Sequence, residues 1–240
     1  MDTDVALGAS RGDVDDGFAL SAVALSGAVT LRGVSVVSGN TNADSAFDCA
    51  RRLLDDLQVE APVVRDREAP DAIAALRDTD ILAIGPLTNV ARATVLDAEF
   101  APRNRIRAVT TVLDRRRHPL LPLFDLNARF DRTAFDRFMQ ASFQSRRLYP
   151  LDVVQRLRFG QAELAALRST ARGAYLARHA RRWLDKSLIR YGASTFPVWD
   201  LVPAMDAIGA LARPVMRGEQ LVDFDPEATA RRFFEIFDAR

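Results

Sequence analysis

Short apolar runs of strand length alternate with segments of helical periodicity along most of the 240 residues, and few folds are open to a chain built that way. Residues 15–26 (DDGFALSAVALS) have the pattern of a helix that begins on an aspartate pair, and 31–37 that of a strand. A helix over 43–57 places Ala46, Cys49, Ala50, Leu53, Leu54 and Leu57 at helical spacing, and a short apolar run follows at 62–64. Next come a helix over 69–77, a strand over 79–84, the loop GPLTN with a helix after it, a strand over 106–113, a helix from Asp131 and a short strand at 148–151. Residues 161–209 read as mostly helical, and a strand at 221–224 and a helix at 226–237 close the chain. The rhythm predicts an α/β fold: an open, mainly parallel, doubly wound sheet with a helical C-terminal portion and a ligand site at the carboxyl ends of the strands. No repeat, linker or composition shift divides the chain, so a single domain over 1–240 is expected.

Charge narrows the partners. Lys+Arg 33 against Asp+Glu 32 leaves a formal net charge of +1, without the basic field that nonspecific nucleic-acid binding needs. Small molecules are the expected partners, with no nucleic acid and no membrane. The only lysine is Lys186, which narrows the choice of lysine nucleophiles. The lone Cys49 excludes an intrachain disulfide or a cysteine metal cluster and fits a reducing compartment. No leader-like segment opens the chain, and apolar runs break well before the ~18 residues of a membrane span, so a cytoplasmic location is expected.

Five aspartates, Asp2, Asp4, Asp13, Asp15 and Asp16, fall within MDTDVALGASRGDVDD. Aspartates at i and i+2 on an extended chain project to one face, and a second pair at a helix start can converge on them across a loop. So much negative charge calls for a cation. Carboxylate oxygens without Cys or His suit Ca²⁺ or Mg²⁺ rather than zinc, and a shell of several oxygens favours Ca²⁺. The alternative is that these residues cap the helix. An EF-hand is excluded, because neither pair has the Gly and terminal Glu of its loop.

In order along the chain, DTD…DVDDGFAL, VVSGNTNADSAFDCARRLL, LAIGPLTNVARA, LFDLNARFDRTAF, YPLDVVQRLRF, VWDLVPA and VDFDPEATARRFFEIF resemble the landmarks of the inosine-uridine preferring nucleoside hydrolases. The resemblance implies an open α/β fold whose deep pocket holds one Ca²⁺, and hydrolysis of the N-glycosidic bond of ribonucleosides. It implies that Asp2, Asp4, Asp16, Asp200 and the backbone carbonyl of Thr88 hold the calcium, with Asp4 also the general base that activates water. It places Asp15 on the ribose 2′-OH, and Asn40, Asp125 and Asn127 on the remaining sugar hydroxyls. Dimers or tetramers are implied as well.

The chain also departs from that pattern, as a shortened and divergent member would. The run between the aspartate pairs is lengthened to VALGASRGDV, only Met1 precedes Asp2, and the His-Gly loop expected after Val64 has no counterpart. Trp199 stands where a histidine acid is usual, and an indole N–H cannot deliver a proton at neutral pH, although its ring can stack on a base. That leaves His118, in DRRRHPLLP, as the candidate acid, while His179 is expected on a solvated helix face. Arg115, Arg116 and Arg117 form either a solvated run or a grip on a 5′-phosphate. Two other readings remain: a catalytically impaired riboside-binding relative, and a DxD metal-dependent phosphohydrolase, which would need a lysine beside the phosphate.

Overall fold

A computed structural model describes residues 1–9 and 12–238, and of residues 190 and 191 only the backbone. The first strand, β1, is just Asp2–Thr3, and α1 (Asp15–Leu25) follows it. The chain continues through β2 (Val34–Val36), α2 (Ala43–Leu57), β3 (Val63–Val64), α3 (Ala69–Ala74), β4 (Asp80–Ala83), α4 (Thr88–Leu96), α5 (Phe100–Arg103) and β5 (Arg105–Val109). A 3-10 turn at Leu121–Phe124 leads into α6 (Leu126–Phe130), α7 (Arg132–Gln140), β6 (Ser145–Tyr149) and α8 (Leu151–Val154). Then come β7 (Arg158–Gly160), α9 (Gln161–Arg168), α10 (Ala174–Tyr191), β8 (Thr195–Pro197), α11 (Leu201–Ala207), β9 (Val215–Arg217), β10 (Gln220–Asp223) and α12 (Pro226–Asp238).

Eight strands form one sheet in the order β3-β2-β1-β4-β5-β6-β10-β9, parallel throughout except for the antiparallel β9–β10 edge. The expected doubly wound sheet is therefore the observed one. From β1 the chain builds outward through β2 to β3, then returns to β4 on the other flank of β1. That reversal is the switch point at which open α/β sheets bind ligands. Alternation along the strands sorts the core into two layers. Ile81, Ala83, Ile106, Ala108 and Leu148 face α3, α4, α5 and α7, whereas Leu82, Ile84, Val109 and Tyr149 join the layer of α1, α2 and α9 to α12.

Helix α2 matches the expected span and buries the six apolar residues that the spacing singles out. The short elements depart from expectation. β6 ends at Tyr149, and Leu151 already begins a helix, so the expected strand at 148–151 lies too late. Arg146 and Arg147 disguise this strand; Arg146 donates to the carbonyls of Phe138, Met139 and Ala141, and Arg147 to Asp206. β8 interrupts the region read as mostly helical, and pairs antiparallel with β7. Strands of three residues are too short to show a period of two. Among the described residues, no helix is long and apolar enough to cross a membrane.

Two contacts lock the layer that carries the site. Asp206 on α11 accepts hydrogen bonds from Arg107 Nε at 2.7 Å, Arg147 Nη1 at 2.8 Å and the Tyr149 hydroxyl at 2.6 Å, which fixes α11 on the sheet. On α1, the fully buried Phe18 packs edge-on to Phe159 at 5.4 Å, with Phe233 at 5.9 Å and Phe196 at 6.3 Å. Phe18→Ala is expected to cost about 3–5 kcal/mol in urea unfolding, by lost transfer energy and the cavity left behind. A loss below about 1 kcal/mol would mean that α1 is not anchored through this ring.

Candidate active site

The first carboxylates stand at the carboxyl end of β1, flanked by β2 and β4. Asp2 is buried, and its Oδ1 accepts from Ser35 Oγ at 2.6 Å and Asn89 Nδ2 at 3.0 Å. Asn89 also donates to the Val36 carbonyl at 3.0 Å, so one amide ties α4 to both β1 and β2. Asp4, two residues on, accepts from the Asn40 backbone N–H at 2.6 Å through Oδ2. Two glycines make that approach feasible. A Cβ on Gly39 would lie 2.1 Å from Asp4 Oδ2, and one on Gly85 would lie 2.9 Å from the Asp4 backbone nitrogen. The SGN and IGP turns therefore fold directly over the Asp4 carboxylate.

The second group comes from the start of α1. Asp16 is fully buried and accepts from the Thr3 hydroxyl through Oδ1 and from Asn40 Nδ2 at 3.4 Å through Oδ2. Asp200, the residue immediately before α11, is close enough to Asp15, Asp16, Asp13 and Asp4 for their charges to add to the effect of burial on its carboxyl. The Asp206 contacts that fix α11 thus also set the place of Asp200. Helix α1 has Val14 at its N-cap and no side-chain cap hydrogen bond. Capping does not account for these aspartates.

Several of their oxygens have no hydrogen-bond partner among the described residues: Asp2 Oδ2, Asp4 Oδ1, Asp13 Oδ1 and Asp15 Oδ1 are all shielded from solvent. Burial pushes the Asp2 carboxyl up to about 6, against the hydrogen bonds from Ser35 and Asn89. It pushes Asp4 up to about 7, with the charges of Asp15 and Asp2 adding to it and the Asn40 N–H opposing it. Burial, reinforced by their mutual repulsion, drives Asp13, Asp16 and Asp200 well above the ordinary carboxylate range. Clustered carboxylates of this kind are stable as anions only against a positive charge. Their hard oxygens, with no sulfur or imidazole among them, fit a calcium- or magnesium-like ion.

Of the other expected residues, Thr88 lies on α4, and Asp125 and Asn127 at the start of α6. Thr88 opens α4 and donates its hydroxyl to Asp131 at 3.0 Å. Asn127 bridges the ends of β4 and β5, donating to the Ile84 carbonyl at 2.9 Å and the Val109 carbonyl at 2.8 Å. Asp125 is engaged by the chain itself: it accepts from the Thr110 hydroxyl, the Thr111 N–H at 2.7 Å and the Ala128 N–H at 3.0 Å. Thr111 has φ 73°, a strained value for a β-branched residue, and Asp125 holds that turn.

Trp199 is half-buried, and its Nε1 is shielded with no partner among the described residues. His118 is half-buried in the 113–124 segment, whose base is fixed by Asp152 through the N–H groups of Leu113 and Asp114 at 2.8 Å each. Arg115, Arg116 and Arg117 are exposed. His179 is not on a solvated face: it is half-buried, stacks on Tyr175 at 4.5 Å, and lies against Gly8. Exposed Lys186 sits 5.1 Å over the Trp183 ring, far from the role of a phosphate-binding lysine. Sequence reasoning missed Ser35, Asn89 and Thr3 as supports of the aspartates. Asn89, the last residue of GPLTN, and Thr3, the middle residue of DTD, lay within recognised motifs, whereas Ser35 did not.

No protein-family model matches the chain, and no curated protein matches it. Solved structures do. A plant nucleoside hydrolase aligns over 100% of this chain and 98% of its own at 17% identity, with a TM-score of 0.77. A purine-preferring ribonucleoside hydrolase from Gardnerella vaginalis aligns over 98% and 96% at 16% identity, with a TM-score of 0.79. The type III effector protein XopQ, complexed with adenosine diphosphate ribose, aligns over 95% and 90% at 12% identity, with a TM-score of 0.71. The likeness is one of fold.

The cluster predicts an unusual pH dependence for the metal-free protein. Aspartates whose folded pKa is raised contribute stability that is fully present below their unfolded value of about 3.9 and is lost as the pH rises through the folded value. For Asp2 and Asp4 that loss runs from about pH 4 to about 6 and about 7 respectively. Asp80, held low by hydrogen bonds from Arg105 and Arg107, and Asp206, held low despite burial by Tyr149 and Arg107, act in the opposite direction, losing stability below about pH 4. In chelator, the melting temperature is expected to fall between about pH 4.5 and 7.5, and Asp4→Asn to flatten that slope. A melting temperature that rises across the interval would contradict the burial of these charges.

Proposed function

On a chain with the nucleoside hydrolase fold, we propose that this carboxylate cluster hydrolyses the N-glycosidic bond of ribonucleosides or related ribosides, with Ca²⁺ as its resident ion. The observation that carries the proposal is the set of buried carboxylate oxygens without hydrogen-bond partners, gathered at the switch point of a parallel sheet. Asp4, Asp16 and Asp200, the free Oδ2 of Asp2 and the carbonyl of Thr88 would hold the ion. When bound, such an ion lowers the pKa of water and fixes ribose hydroxyls.

The chain's own residues supply the rest. Asp4 is locked by the Asn40 N–H on one oxygen, which leaves Oδ1 to take a proton from the attacking water. Asp15 would accept from the ribose 2′-OH, and Asn40 and Asn127, both anchored by their amides, would orient the other hydroxyls. Asp125 serves the sugar by holding the Thr110–Thr111 turn. Positive charge developing on the sugar is opposed by the surrounding carboxylates. At the leaving group, Trp199 can donate a hydrogen bond and stack on a base, but it cannot release a proton. His118 is the residue available for that proton. Substrates with acidic leaving groups should therefore be favoured.

Two observations favour a second reading, a riboside-binding relative without turnover: an indole directly precedes Asp200, and the structurally similar XopQ was solved holding adenosine diphosphate ribose. A screen of ribonucleosides, ribonucleotides and nitrophenyl riboside with Ca²⁺, read as released reducing sugar, separates the two. Cleavage of the nitrophenyl riboside is expected, with Asp4→Asn lowering the rate by about 10²–10⁴-fold. Ligand binding with no sugar release from any substrate would support the binding reading. Unchanged turnover in a folded Asp4→Asn protein would remove Asp4 as the base.

A further inference from the structure

We propose that Asp13 is itself a ligand of the bound cation, delivered by the lengthened segment between Asp4 and Asp15; the inference rests on the cation-binding reading above. Asp13, Asp15 and Asp16 each offer one oxygen, and these three atoms lie within 4.8 Å of one another. Calcium takes oxygens at about 2.3–2.6 Å, so two oxygens on one ion are at most about 5 Å apart. Asp13 and Asp16 are therefore close enough to share one ion, with Asp15 beside it. The cluster has independent support as a ligand site, because Asp15 Oδ1 and Asp4 Oδ1 belong to residues only 3% and 2% exposed and have no partner among the described residues.

The segment that carries Asp13 is built into the fold. Val5, Ala6 and Leu7 are buried in the core, and Ala9 N–H closes a turn on the Ala6 carbonyl at 2.9 Å. Gly8, at φ 91°, lets the chain pass against His179 and Tyr175. Leu7 then fills the space over Gly17 on α1, where a Cβ would come within 2.9 Å of its side chain. Gly12 closes the loop directly on Ala6: a Cβ there would stand 2.1 Å from Ala6 Cβ and 2.6 Å from its carbonyl oxygen. Residues 10 and 11 lie outside the described residues. This crossing fixes the backbone immediately before Asp13 and turns its half-buried carboxylate, with Oδ1 shielded, towards Asp15 and Asp16.

The test is calorimetric titration of Ca²⁺ into the metal-stripped full chain, with circular-dichroism melting of the same samples. Asp13→Asn is expected to weaken Ca²⁺ binding at least tenfold, while Asp55→Asn, on the exposed face of α2, leaves it unchanged. Gly12→Ala is expected to weaken binding in the wild-type background but to add little to Asp13→Asn, since both act through one carboxylate. Stripped Asp13→Asn should melt no lower than wild type, because one repelling carboxylate is gone. Wild-type Ca²⁺ binding that survives Asp13→Asn within twofold would overturn the inference and leave the cation reading standing. A stripped Asp13→Asn protein that melts lower would overturn it too, by showing the carboxylate to be satisfied by the chain. If wild type binds no Ca²⁺ at all, the cation reading falls and the inference falls with it.

Discussion

Repulsion among buried carboxylates governs this structure. Asp2, Asp4, Asp15, Asp16 and Asp200 are nearly removed from water, and Asp13 adjoins them. Charges of one sign at such separations, in a medium less polar than water, oppose folding by several kcal/mol unless protonated or matched by a cation. A core would not retain such a group for packing alone. Much of the surrounding architecture can be understood as the means of holding the group against its own repulsion.

Those means are distributed. The sheet supplies direction, since parallel strands bring the ends of β1, β2, β4 and β5 to one edge. Glycines at 39 and 85 allow the two flanking turns to close on Asp4 without a Cβ between them. Hydrogen bonds from Ser35 and Asn89 fix Asp2, and those from Thr3 and Asn40 fix Asp16. Further out, the Asp206 contacts with Arg107, Arg147 and Tyr149 hold α11 in place and so keep Asp200 opposite α1. Because the hydrogen bonds to Asp2 and Asp4 span 2.6–3.0 Å and are wholly or partly buried, the free oxygens of these two residues are left with defined directions. A preorganised site of that kind stabilises a developing charge without rearranging during the reaction.

Where the chain departs from the pattern of the nucleoside hydrolases, the fold absorbs the change in different ways. The lengthened first loop packs into the core through Val5, Ala6 and Leu7 and brings an additional carboxylate with it. The brief β1 still pairs with both neighbours, at Ser35 and Val36 on one side and Ala83 on the other. The indole at position 199 leaves the leaving-group proton to His118, on a different segment, and the chemistry of the leaving group is therefore the most altered part of the proposed reaction.

The alternation of strand and helix, the boundaries of α2 with its buried face, and the clustering of Asp2, Asp4, Asp13, Asp15 and Asp16 were legible in the sequence, because each is local: the period of a helix, or neighbours along an extended chain, determines it. Strand β6 was blurred because its arginines are neutralised by partners remote in sequence, and β7 and β8 because three residues carry no period. The destination of side chains was settled only by tertiary structure. Asp125 turns inward to hold a strained turn, His179 is covered by the first loop, and one oxygen of Asp2 is tied to the sheet while the other is left free. Each outcome depends on which backbone closes against which, over long separations such as the 87 residues between Asn89 and Asp2, and no local pattern encodes that closure.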